Sequence, residues 1–371
     1  MISKSNRDKA YRILCVSAHT APTQGFGGPA VVFRTFLDFL TERGINFVSI
    51  STTDKKTYSE IEGGSQSIFY KSPFLYKYGF SVGILLYLIL NHRRFNYFAV
   101  NGLSNAPVLM AALLALMSNK KIVLFTHGGL EGARVIGWGV FKRLLYRLNT
   151  LILESVDSRG NLLVVYQSND ELVKSTFKAA RSIVCANYPE SFFQKEYRKD
   201  FSNLCITYIG RFSPEKGSQR LREFMDFFVT LDPKLGHQVN LIIAAETEVE
   251  ELVPYKNIQG VSLFYNLAWA DVTTILLKSN VLYFPSRIEN FGNSLVEGVA
   301  FGLIPCIYRD THWSILLDRE SAISESDLRR ALNTEIIEKS ALQKMAVRGK
   351  KVVLDEFIRG RDMSQILEFI V

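Results

Sequence analysis

The chain is predicted to be an α/β protein built from two doubly wound domains, on three observations. Short β-branched or apolar runs alternate with longer segments of helical period, which is the rhythm of parallel strands joined by crossover helices. That rhythm runs twice, broken once by the proline-bearing, mixed-charge stretch 187–203, "NYPESFFQKEYRKDFSN". A length of 371 residues exceeds one ordinary core and fits two domains of about 150 to 200 residues each. The expected domains are 1–190 and 191–354.

In the first half the expected strands are 13–17, 47–51, 67–70, 97–100, 122–125, 162–166 and 182–185, runs such as "ILCVS" and "LLVVY". Helices are expected between them at 30–43, 75–91, 105–117, 140–154 and 170–177, where apolar residues recur every three or four positions. The second half repeats the pattern, with strands at 204–209, 239–244, 261–264, 281–284 and 304–308 and helices at 218–231, 271–277 and 294–301. Residues 334–371 are helical in composition and end in "SQILEFIV". Ile366, Phe369 and Ile370 have helical spacing, so a C-terminal helix within 355–371 is expected to pack on a core, with that of the first domain as the candidate.

Hydrophobic residues at 47% and charged residues at 22% place the chain among soluble globular proteins and exclude a disordered one. Its positive charge lies in the first half: residues 1–190 hold 22 Lys and Arg against 12 Asp and Glu, and the remainder holds 22 against 24. A basic half suits nucleic acid, an anionic membrane surface or phosphorylated ligands. No zinc-finger spacing, RNP-type aromatic motif or dense Lys/Arg run accompanies it, so nucleic acid is set aside. Cys15, Cys185, Cys205 and Cys306 are isolated in apolar segments and read as core residues of a reduced, cytoplasmic protein. The N-terminus lacks the pattern of a signal peptide, and the longest apolar run, 80–90, is well short of the roughly 20 residues of a spanning helix. The aromatic stretch 74–98 reads either as a core helix or, with Lys71, Lys77, Arg93 and Arg94 flanking it, as a peripheral contact with an anionic membrane.

Ligands of open α/β sheets bind beyond the carboxyl ends of strands, which directs attention to two loops. The first is "GRFSPEKG", with Gly210, Arg211, Lys216 and Gly217. Two cations bracketed by glycines and opening a helix suit a diphosphate, and also suit the surface of an ordinary βα loop. The second is "PSRIENFGNSLVEGVAFGLIPCI", whose Phe291, Gly292 and Asn293 lead into a helix with a positive dipole end. It carries two acids, Glu289 and Glu297, eight positions apart. An acid repels phosphate, so each reads as an acceptor for sugar or ribose hydroxyls; Glu297 reads alternatively as a helix cap. The acidic run "ETEVEEL" at 246–252 reads as a solvated helix start rather than a cation site.

"YIGRFSPEKG" followed by "VLYFPSRIENFGNSLVEGVAFGLIPCI" resembles family 4 of the retaining glycosyltransferases. The shared features are the E-x7-E spacing, the preceding "PS", and Ala300, Gly302 and Pro305 in an A-x-G-x-x-P tail. The glycine-rich "GFGGPAVVFRTFLDFLTERGINFVSI" and "FTHGG" extend the resemblance into the first half. It implies the GT-B fold, two facing Rossmann-like doubly wound domains with a cleft between them, the first on the acceptor side and the second holding a nucleotide sugar. It further implies that Arg211 and Lys216 neutralise the donor diphosphate. Glu297 would bind the ribose hydroxyls. Glu289 would contact the transferred sugar, with Asn290 and the backbone N–H groups of Phe291, Gly292 and Asn293 close by. Gly27 and Gly28 would bring backbone to the β-phosphate, and His127 would stand near the reacting sugar. There are departures: Ala244, Ala245 and Glu246 stand where the family usually has glycines, and His312 and Trp313 replace small residues, leaving the base and sugar preference open.

The expected function is retaining transfer of a sugar from a nucleotide diphosphate donor to a hydroxyl acceptor, in a bacterial surface polysaccharide or lipopolysaccharide pathway with a saccharide or lipid-linked saccharide as acceptor. No D-x-D string occurs, so neither metal nor other cofactor is expected. The expected location is the cytoplasm, with the inner face of the membrane as the site of peripheral contact. The rival readings are a catalytically silent nucleotide-sugar-binding scaffold subunit, and an epimerase or phosphorylase of the same fold.

Overall fold

A computed structural model describes the chain except for residues 1–12, 20–27, 54–55, 63, 73–80, 103–105, 128–139, 189, 246, 290, 310, 312, 334–337, 360–362 and 371. It divides into two compact units, one of Met1–Tyr188 with Arg361–Val371 and one of Pro189–Gly360.

The first unit runs β1 Ile13–His19, α1 Gly28–Glu42, β2 Phe47–Thr53, β3 Tyr58–Glu62, β4 Ser65–Lys71, α2 Val82–Asn91, β5 Tyr97–Asn101 and α3 Ala106–Met117. It continues with β6 Lys121–Phe125, α4 Val140–Asp157, β7 Leu162–Tyr166, α5 Asn169–Lys174 and β8 Ser182–Val184. The sheet order is β3-β4-β2-β1-β5-β6-β7-β8. Strand alternation sorts its core into two layers. Leu14, Val16, Phe98, Val100, Ile122, Leu124, Leu162 and Val164 face α2, α3 and α4. Ile13, Cys15, Ala99, Val123, Phe125, Leu163 and Val165 face α1.

All neighbouring strands are parallel except β3 and β4. β3 is absent from the sequence expectation because "YSEIE" has no buried face to pattern it. Ile61 is 76% exposed, which an edge strand permits, and Tyr58 stacked on Phe69 at 4.6 Å holds the strand in place. The helix expected at 75–91 is seen from Val82, and 73–80 lie outside the described residues. The helix expected at 170–177 stops at Lys174, where Ser175 turns extended and its hydroxyl bonds to Phe177.

The second unit runs β9 Cys205–Gly210, α6 Ser218–Phe228, β10 Gln238–Ile243, β11 Val261–Tyr265, α7 Trp269–Lys278, β12 Val281–Phe284, α8 Asn293–Ala300 and β13 Ile304–Ile307. Then come α9 Trp313–Leu316, α10 Glu325–Asn333 and α11 Lys339–Val353. The sheet is parallel throughout, in the order β11-β10-β9-β12-β13. Ile206, Tyr208, Leu241, Ile243, Val281 and Tyr283 pack with Leu221, Phe224 and Met225 of α6 on one face. The stretch expected to be a linker, 187–203, is packed rather than free. Phe193 and Phe201 are buried, and Tyr197 stacks on Phe301 at 5.1 Å.

The C-terminal stretch 355–371 is divided. A single wide turn, Leu354–Ile358, stays in the second unit, whereas α12 Ser364–Ile370 belongs to the first. Ile366, Phe369 and Ile370 are buried on the α1 face, and the Lys121 ammonium donates to the Phe369 carbonyl at 2.8 Å.

Candidate functional site

In the second sheet the chain moves outward from β9 to β11 on one side and from β12 to β13 on the other, so β9 and β12 flank the point where connection order reverses. The two loops singled out by sequence follow these two strands and are tied backbone to backbone. Arg287 N and Ile288 N both donate to Glu215 O, at 2.8 and 3.1 Å. Gly217 makes this approach possible: its φ is +74°, and a Cβ there would lie 2.2 Å from Pro285 O.

Across this junction the Lys216 ammonium is paired with Glu289 Oε1. The Glu289 side chain is 7% exposed and that of Lys216 23%, so the pair is largely withdrawn from water. The sequence assigns these two residues to different parts of a ligand; the structure joins them directly. Arg211 is exposed at the end of β9, and its carbonyl accepts from the Tyr208 hydroxyl at 2.6 Å. Burial, with Glu289 nearby, pushes the Tyr208 phenol pKa up, which keeps that hydroxyl a donor.

The second loop ends at Gly292, in the left-handed region at φ +76°, and the bonds of α8 begin with Leu295 N and Val296 N to Gly292 O at 2.9 and 3.1 Å. The positive end of α8 therefore opens just beyond the loop that carries Glu289, the partner of Lys216, an arrangement suited to an anion. A Cβ on Gly292 would lie 2.8 Å from Trp313 Nε1. Trp313 is fully buried and stacks on Phe357 at 4.1 Å, and Phe357 meets Phe291 edge-on at 6.3 Å. The residue that departs from the family pattern thus supports the turn from below. Glu297 is buried in α8. Asn290, His312 and Glu246 lie outside the described residues.

The first sheet has its own reversal point, between β1 and β5. Gly28 opens α1 after β1, and Gly27 lies outside the described residues. A row of uncharged polar side chains starts here. Asn101 Nδ2 donates to Ser17 Oγ at 2.9 Å, Asn101 Oδ1 meets His127 Nε2, and Gln167 Nε2 meets His127 Nδ1. His127 follows β6 with φ +49°, an uncommon conformation for a non-glycine residue. Burial holds its pKa down at about 3, so the ring is neutral at physiological pH. Beside it Thr126 Oγ1 donates to Glu171 Oε1, and Gln167 N donates to Glu171 Oε2 at 2.9 Å. Of this row the sequence reading names only His127. The signal for the others was a polar residue closing an apolar strand, as in "YFAVN" and "VVYQ".

Residues 189–312 match the family model described as glycosyl transferases group 1. No curated protein matches the chain in sequence. Among solved structures, sucrose-phosphate synthase from Thermosynechococcus elongatus aligns with a TM-score of 0.70 at 13% identity, covering 96% of this chain and 97% of that one. The catalytic domain of starch synthase IV from Arabidopsis thaliana, bound to ADP and acarbose, gives 0.63 at 13% identity over 97% and 99%. WaaG, a glycosyltransferase involved in lipopolysaccharide biosynthesis, gives 0.61 at 14% over 93% and 95%. The fold is that of the GT-B glycosyltransferases. Its second unit carries the group 1 glycosyltransferase match.

Proposed function

We propose that the chain is a retaining glycosyltransferase of family 4 that moves a sugar from a nucleotide diphosphate donor to a hydroxyl acceptor without a metal ion. The observation that carries this reading is the junction of Lys216, Glu289 and the α8 end at the reversal point of the second sheet. Lys216, Arg211 and the α8 dipole would take up the charge that grows on the departing diphosphate. Glu289 would accept from a hydroxyl of the transferred sugar, and Glu297 from the ribose. That starch synthase IV binds ADP and acarbose, and that a related E. coli structure holds UDP-2-fluoro glucose, supports a nucleotide-sugar donor and a saccharide acceptor.

The reading extends to a lipid-linked acceptor of a surface polysaccharide or lipopolysaccharide pathway, at the inner face of a membrane. Among the described residues no helix is long and apolar enough to cross a membrane. Peripheral contact is supported by α2 and α4, which expose Leu86, Leu90, Leu144 and Leu151 alongside the exposed Arg93, Arg94, Arg143 and Arg147.

Thermal-shift measurements with UDP-, GDP- and ADP-sugars test the donor reading, since a ligand at a hundred times its Kd stabilises by about 2.7 kcal/mol. A shift with one nucleotide series, followed by turnover, is expected. A shift without turnover of any acceptor would mark a silent binder, and no shift at all would remove the donor site. Co-sedimentation with anionic vesicles at low and high salt tests the membrane part. Binding that charge reversal at Arg93 and Arg94 leaves unchanged, or no binding at low salt, overturns it.

A further inference from the structure

We propose that Asn101 and Gln167 are positioning residues that hold His127 as a neutral imidazole with its proton on Nε2, so that His127 serves as a fixed polar group and not as a proton carrier. This rests on the reading above only in placing His127 near the reacting sugar.

The argument starts from the inventory of donors and acceptors. A neutral imidazole has one N–H donor and one bare acceptor nitrogen, and its neighbours decide which nitrogen is which. Gln167 presents its amide nitrogen to Nδ1, and an amide nitrogen only donates, so Nδ1 is the acceptor. Asn101 presents its amide oxygen to Nε2, which therefore carries the hydrogen. In this orientation the Asn101 amide nitrogen donates to Ser17 Oγ across the β1–β5 pairing, where the hydroxyl acts as acceptor. Three strand ends and one βα loop thus polarise a single chain of bonds in one direction, from Gln167 through His127 and Asn101 to Ser17.

The surroundings fit an uncharged ring. Asn101 and Gln167 are each 6% exposed and Ser17 is fully buried, and His127 itself is half-buried, so amides and not bulk water meet both ring nitrogens. A carboxylate stands next to it: Glu171 on α5 is fully buried. Its two oxygens are engaged by Thr126 Oγ1 and Gln167 N, and neither of those bonds reaches the ring. Among the described residues the bonds to the His127 ring come from two uncharged amides, Asn101 and Gln167, with Ser17 behind Asn101. With both ring nitrogens engaged by amides, a proton has no vacant position to leave from or arrive at during a reaction cycle. A neutral, immobile row suits hydroxyl-bearing ligands, whereas an imidazolium at the same place would attract phosphate.

Nitrogen-15 NMR of the full chain tests this directly. The sequence holds five histidines, and the His127 signals are identified by their loss in His127→Gln. The expected spectrum shows His127 as the Nε2–H tautomer from pH 8 to 5 without titrating. A Nδ1–H tautomer, or an imidazolium forming near pH 6.5, overturns the proposal. Gln167→Glu, nearly isosteric, places a carboxylate against Nδ1 and is expected to move the proton there and bring the ring into the titrating range. In turnover the wild type is expected to show no limb from His127 between pH 5 and 8, and Gln167→Glu to acquire one at the pH where its His127 titrates by NMR. If that limb is absent while the NMR change is present, the positioning role in the reaction is overturned. If no nucleotide sugar is turned over by the wild type, the glycosyltransferase reading fails, while the NMR still decides the state of the ring. Should Gln167→Glu not fold, the wild-type spectrum alone decides the tautomer.

Discussion

The two reversal points are built from the same topology and opposite chemistry. In the second unit the strand-end loops bring together an ammonium, a carboxylate and the positive end of a helix. In the first unit the corresponding strand ends carry a serine, two amides and a neutral imidazole. The doubly wound sheet determines where a ligand docks, and the residues that close each strand determine what charge it carries. The charged junction suits a diphosphate and the neutral row suits hydroxyls. A transferase needs both. The supports differ too. The charged junction rests on packing, with Trp313 and Phe357 beneath the turn, whereas the neutral row rests on its own hydrogen bonds.

That difference in support predicts the largest effect. Trp313→Ala removes a fully buried indole stacked on Phe357, and truncations of this kind cost about 3 to 5 kcal/mol. The expected outcome is a lowered melting transition for the second unit and an unchanged one for the first, followed by circular dichroism and tryptophan fluorescence. A loss under about 1 kcal/mol would mean that the turn is held by something other than Trp313.

Lys216→Ala ranks next. Bonds from a charged donor to phosphate are worth roughly 1.5 to 3 kcal/mol, so nucleoside diphosphate affinity should fall about 10- to 150-fold, with most activity lost and the fold intact. Calorimetric titration measures it. Unchanged affinity in a folded variant would detach the charged junction from the diphosphate.

Much of this contrast was legible before any coordinates. The alternation of strands and helices in both halves came from periodicity, and the loops carrying Arg211, Lys216, Glu289 and Glu297 came from motif spacing that sits at strand ends. What was hidden depends on three-dimensional neighbours. β3 has no apolar pattern because it lies at an edge, with Ile61 in water. The joining of Lys216 to Glu289 spans 73 positions and depends on β9 and β12 being adjacent, which strand order decides and local sequence does not. Trp313 reads as a departure because its role is to fill space under a glycine of the preceding strand-to-helix loop. Asn101 and Gln167 carry no signal of their own, because single amides at strand ends are common and only pairing with His127 gives them meaning.

The Lys216–Glu289 pair yields a smaller and less intuitive expectation. In the free protein the carboxylate occupies the ammonium that a diphosphate would need, so binding must exchange one anion for the other. Glu289→Gln removes the competitor while leaving a side chain of the same size. Affinity for a nucleoside diphosphate lacking sugar should rise, by about fivefold for each 1 kcal/mol that the displaced pair is worth, even as sugar transfer falls. Weaker diphosphate binding in Glu289→Gln would show instead that the carboxylate preorganises Lys216, and the charged junction would then be a rigid site and not an exchanging one.

The smallest expected effect is none. Transfer leaves a diphosphate whose growing negative charge must be met by something, and many transferases meet it with a divalent cation held by a D-x-D string, which this chain lacks. On the reading proposed above, the protein's own groups at the second reversal point, Arg211, Lys216 and the α8 end, would carry that charge. Excess EDTA is therefore expected to leave turnover unchanged, and added Mg²⁺ or Mn²⁺ to leave it no faster. The neutral row of the first unit has no bearing on this result, so the measurement isolates the charged half of the comparison. A loss of turnover with EDTA that either ion restores would mean that Arg211, Lys216 and a helix dipole do not suffice, and that the second unit completes its charge with a metal drawn in alongside the donor.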